Sequence, residues 1–79
     1  YPNPFNPNTK IIWQSPVGSH QTLKVYDVLG NEIATLADEY RNAGRYEINF
    51  SSSDLVSGIY FYRLTAGAFV ETKKMILMK

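Results

Sequence analysis

Few side chains in this chain can do chemistry, and their spacing does not bring them together. His20 is the one imidazole. It stands between Ser19 and Gln21 beside a turn, with no nucleophile placed by pattern for it to activate. A solvated loop histidine is the expectation. Asp27, Asp38 and Asp54 fall at or near the ends of alternating runs. Short carboxylates in such places cap turns, whereas acid–base catalysis needs a partner within hydrogen-bond reach. Leu55-Val56-Ser57-Gly58 lacks the first glycine of a nucleophile elbow. The five glycines are isolated, one per turn, so no loop can cradle a phosphate. A calcium site begun by Asp27 and Asn31 would need further oxygen ligands. Without cysteine there is no thiolate, and a zinc site built on one histidine would need several carboxylates. Neither an enzymatic activity nor a cofactor is expected.

Two surface chemistries remain. Tyr26, Phe61 and Tyr40 point outward by alternation and could form a platform for carbohydrate, although scattered exposed aromatics are normal in small domains. The final segment places Lys73, Lys74 and Lys79 around an apolar strand. Lysines on an edge strand block edge-to-edge aggregation. They equally suit a strand offered to a receptor, where main-chain pairing gives affinity and the cations add charge recognition.

The elements that must position these groups are short strands. Ile11 and Trp13 share one face of the first run, and Leu23 and Val25 share one face of residues 20–27. Tyr46, Ile48 and Phe50 alternate with Glu47 and Asn49; Tyr60, Tyr62 and Leu64 alternate with Ile59, Phe61 and Arg63. In residues 69–78, Met75 and Leu77 oppose Ile76 and Met78. Period-two alternation with aromatic and β-branched enrichment is the strand signature. Turn signals fall between the runs at Pro16-Val17-Gly18-Ser19, Leu29-Gly30-Asn31, Asn42-Ala43-Gly44, Ser51-Ser52-Ser53-Asp54 and Ala66-Gly67. The second and last of these leave so few loop residues that their flanking strands should pair as antiparallel hairpins. Residues 32–41 are ambiguous, because Ile33, Leu36 and Tyr40 also fit a helical spacing; a strand followed by a loop is expected. About seven short strands then form an immunoglobulin-like antiparallel β-sandwich without a disulfide. Gly58-Ile59-Tyr60-Phe61-Tyr62 matches the segment in such folds where the first tyrosine's hydroxyl bonds back to the backbone upstream, with Val56 in place of the usual acid.

Length and composition agree. The 79 residues make one domain, with an extended Pro/Asn-rich lead-in over 1–8 and the sandwich over 9–79. Three prolines forbid helix in the lead-in, and Phe5 is expected to plug one end of the core. A chain of this size has little stability to spare, so its six Tyr, four Phe and one Trp must supply much of the packing. Eight basic and seven acidic residues leave a formal charge of +1, which does not suit a nucleic-acid binder. No apolar run is long enough for a transmembrane helix, and no leader pattern precedes the domain, so the chain reads as part of something longer.

Five segments occur in order: Tyr1-Pro2-Asn3-Pro4-Phe5-Asn6-Pro7; Leu23-Lys24-Val25-Tyr26-Asp27-Val28-Leu29-Gly30; Ala43-Gly44; Leu55-Val56-Ser57-Gly58-Ile59-Tyr60-Phe61-Tyr62-Arg63-Leu64; and Lys73-Lys74-Met75-Ile76-Leu77-Met78-Lys79. Together they resemble the type A C-terminal sorting domain of the type IX secretion system of Bacteroidetes and related phyla, over essentially the whole chain. That resemblance implies a sandwich at the end of a larger cargo protein. The outer-membrane type IX translocon would recognise it, and a sortase-like peptidase would in many cases remove it, near or before Tyr1. The passenger would end at the cell surface or in the medium. The matching recognition positions are Pro2, Asn3 and Pro4 in the lead-in, Gly44 and Gly58 in turns, and Lys73, Lys74 and Lys79 in the tail. Ser15, where the family usually has a bulky apolar residue, and Ile12, where a polar one is common, depart from the pattern. Two other functions stay open: a structural subunit that self-associates through sheet edges, and a carbohydrate-binding module.

Overall fold

A computed structural model describes residues 8–52 and 54–78. The expectations for Pro2, Asn3, Pro4, Phe5 and Lys79 lie outside the described residues. Among the described residues six strands follow one another: β1 (Asn8–Ser15), β2 (Ser19–Tyr26), β3 (Glu32–Arg41), β4 (Gly44–Ser51), β5 (Gly58–Ala66) and β6 (Phe69–Leu77). Turn spacing suggested about seven.

The strands divide unequally between two antiparallel sheets. Among the described residues β1 and β4 make one two-stranded sheet, while the other sheet runs β3-β2-β5-β6. Links that leave one sheet for the other are the Pro16–Gly18, Asn42–Ala43 and residue 52–57 connections. The two hairpins are those expected. Between β5 and β6, Ala66 pairs with Phe69 across Gly67-Ala68; Gly67 at φ 63° supplies the left-handed first position that a type II′ turn demands. Between β2 and β3, Gly30 takes φ 88°, and its N–H donates to the Asp27 carbonyl at 3.1 Å.

Alternation decides what is buried. Ile11, Trp13 and Phe50 of the small sheet meet Leu23, Val25, Tyr60, Leu64 and Leu77 of the large one. Ala37 joins this cluster, and Tyr46, Ile48 and Tyr62 pack partly against it. Ser15 is buried and its hydroxyl donates to the Val17 carbonyl at 2.8 Å, so the first crossover takes the space of an apolar side chain. Ile12 faces solvent.

Residues 32–41 correct the expectation of a strand followed by a loop: the strand is continuous. Its pairing with β2 runs Leu23↔Ala37, Lys24↔Thr35, Val25↔Ala34 and Tyr26↔Glu32, so Leu36 and Ile33 are each an extra residue. Two β-bulges account for this, since each inserts one residue into one strand and bends it. The three-residue spacing of Ile33 and Leu36, which looks helical, is the imprint of those bulges.

Candidate functional site

The candidate site is built from the residues that the sheets bring to one surface. In β6, Phe69, Met75 and Leu77 pack toward the small sheet, so Glu71 and Lys73 share that side. Both stay exposed, because two strands cannot roof four. An open groove of about 850 Å³ results, with Trp13, Arg45, Phe69, Glu71 and Lys73 among its walls. Val70, Thr72, Lys74 and Ile76 point the opposite way, onto the outer face of the large sheet. The structure therefore separates the two adjacent lysines: Lys73 belongs to the groove and Lys74 to the outer face.

On that outer face, register sets Tyr26 beside Phe61 and Phe61 beside Lys74. The next row is Lys24, Arg63 and Thr72. The Arg63 guanidinium lies 5.0 Å from the Tyr26 ring centroid, and its Nε donates to Thr72 Oγ1 at 3.4 Å. A cation over an aromatic face is attracted by the ring quadrupole. Beyond them, Ile59 pairs with Ile76, and the 27–31 loop holds Val28 and Leu29, 63 % and 82 % exposed. That loop is organised by one side chain. The Asp27 carboxylate accepts the N–H groups of Leu29 and Asn31, each at 2.9 Å, and the Asn31 amide at 3.2 Å. The Asn31 backbone N–H is the main reason its carboxyl sits below the ordinary value of 3.8. With these donors in place, Asp27 is a turn-former.

Gly44 and Gly58 open β4 and β5, and both take φ 155°, a region that favours glycine. Two residues on from each stands a tyrosine. Tyr60 donates to the Val56 carbonyl at 2.8 Å, the bond expected from the sequence, and Tyr46 donates to the Asn42 carbonyl at 2.5 Å. The second corner was not anticipated, although Gly44-Arg45-Tyr46 carries the same pattern. Each corner pins a crossover between sheets.

Sequence reasoning also missed Gln21, which is fully buried. Its Oε1 accepts the Trp13 indole N–H at 3.1 Å, and its Nε2 donates to the Arg41 carbonyl at 3.3 Å. Arg41 in turn lies over Trp13 and Tyr46, which stack on each other at 5.6 Å. The signal was available: Gln21 has the parity of Leu23 and Val25.

His20 and Asp38 bond to each other across β2 and β3 on the exposed surface, at 2.5 Å. Lys24 pairs with Glu32 at 3.2 Å. Among the described residues, no group of three or more His, Asp or Glu gathers to hold a metal ion, and no helix is long and apolar enough to cross a membrane. Tyr40 pairs with His20, at the opposite end of β2 from Tyr26, so the three outward aromatics do not form one platform.

A family model for a secretion system C-terminal sorting domain matches residues 1–78. No curated protein and no solved structure matches the chain.

Proposed function

The chain belongs to the secretion system C-terminal sorting domain family, the sorting signals of type IX secretion, and on that premise we propose that it carries a covalently attached passenger through an outer-membrane translocon. The passenger then reaches the cell surface or the medium, where a sortase-like peptidase removes the domain. The observation that carries this reading is the match across nearly the entire domain, lead-in and final strand included. The fold supports it: the site offers surfaces and a free strand edge, with its polar groups spent on turns and corners.

Recognition in this reading uses the folded sandwich and its last strand. Among the described residues β6 pairs with β5 alone, which leaves its other edge open to an added strand. Deleting residues 73–79 is a poor test, because Leu77 is buried in the core and its loss would unfold the domain. The decisive experiment fuses residues 1–79 behind a reporter in a bacterium with type IX machinery. The reporter should appear outside the cell, and it should stay in the periplasm of a strain lacking the translocon. Periplasmic retention in both strains would refute the proposal.

The edges that the two-stranded sheet leaves unpaired among the described residues favour a second reading, a subunit that self-associates edge to edge. Sizing the purified chain over a range of concentrations separates the two. A monomer throughout rejects assembly.

A further inference from the structure

The outer face of β2, β5 and β6 is unlike the rest of the surface. Its outward positions run His20, Thr22, Lys24 and Tyr26; Ile59, Phe61, Arg63 and Thr65; Val70, Thr72, Lys74 and Ile76. None is acidic. Acids reach this face from β3, where Asp38 bonds His20 and Glu32 pairs with Lys24. They also reach it from the 27–31 loop, where Asp27 lines the hollow beside Tyr26, Phe61 and Arg63 with its carboxylate engaged by the loop's own N–H groups. Arg63 stands beside Lys24 and Lys74 beside Phe61, and among the described residues neither Arg63 nor Lys74 has an acidic partner within ion-pair distance. Around them the apolar side chains of Leu29, Ile59, Ile76 and Met78 lie open, Met78 at 76 %.

A contiguous apolar patch bordered by cations marks an interaction surface, and aromatics with arginine are the residues that dominate such interfaces. Resting on the sorting reading, we propose that this face, centred on Tyr26 and Phe61 and flanked by Arg63 and Lys74, docks on an acidic-rimmed apolar surface of a protein in the secretion machinery. Complementary charge sets orientation and the rate of encounter, while the aromatic pair and the aliphatics are desolvated at the centre. A second copy does not fit, because the same face would bring cations against cations. Arg63 favours a protein carboxylate over a lipid surface. Its guanidinium is held by Tyr26 and Thr72, a fixed direction suited to a bidentate acid.

The test uses the reporter fusion with the full chain. Arg63→Glu with Lys74→Glu reverses the face; Lys10→Glu with Val17→Glu and Asn49→Glu changes net charge equally at exposed positions outside both the face and the groove. With melting midpoints matched, the first set should cut exported reporter about tenfold or more, and the second should leave it unchanged. If the reversed face melts early, Phe61→Thr with Lys74→Gln serves instead, with the same expectation. Export unaffected by the outer-face changes overturns the inference, and so does equal loss in both charge-changed sets, which would make net charge the cause. Failure of the unaltered fusion to leave the cell refutes the sorting function itself, and this inference with it. The purified fusion is also mixed with phosphatidylglycerol vesicles. No sedimentation supports a protein partner; sedimentation lost on reversal overturns it in favour of a membrane.

Discussion

Two tyrosine hydroxyls perform one task in different surroundings. The Tyr60 bond is partly buried and the Tyr46 bond is exposed. Water can replace the second more readily than the first, so Tyr60→Phe should cost about 1 kcal/mol and Tyr46→Phe distinctly less, read from urea midpoints at constant m. Gly58→Ala should cost about 1–3 kcal/mol, since a Cβ disfavours φ 155° even though no atom lies within 4 Å of it. Gln21→Ala strands the Trp13 N–H and the Arg41 carbonyl, at about 1–3 kcal/mol for each. Asp27 links stability to pH. Its folded pKa is depressed, chiefly by the Asn31 backbone N–H, so its contribution is complete above 3.8 and disappears as pH falls through the lower native value. Thermal melts between pH 6 and 2 should show a loss below about pH 4 that Asp27→Asn reduces. At this scale the Tyr60 corner was legible, because glycine and tyrosine two apart have a mechanism attached. The buried amide was not, because only the apolar members of its run were assigned a face.

Among the elements, β3 shows where periodicity misleads. Two bulges within ten residues restart the alternation twice, and a pattern restarted every three residues resembles a helix. β6 shows the opposite: its alternation was plain, and its faces follow from it. Leu77→Ala should destabilise by about 2–5 kcal/mol, as loss of a buried leucine does. Lys74→Ala should stay within about 0.5 kcal/mol, since the side chain is exposed. Chemical denaturation of the two variants therefore separates what β6 does for the fold from what it offers a partner. If Lys74→Ala unfolds the domain, its assignment to the outer face is wrong.

For the molecule as a whole, strand existence and core identity were legible, but the division into two strands over four was not. Alternation tells which residues share a face of one strand; it does not say which strands share a sheet. The groove beside Lys73 and the all-cationic charge of the β2-β5-β6 face both come from that division. The edges also bear on assembly. Lys73 and Lys74 flank the edge of β6 that is unpaired among the described residues, where lysine discourages strand addition by another copy. The purified chain should elute as one species whose apparent mass does not rise with concentration. The short Gly67-Ala68 link has one more consequence. A strand slipped by one residue turns every side chain over, so deleting a single residue there would send Leu77 into solvent, bury Lys74 toward the groove and exchange it with Lys73. Natural variants of this domain should accordingly accept many substitutions in the final strand while rejecting single-residue insertions and deletions ahead of it.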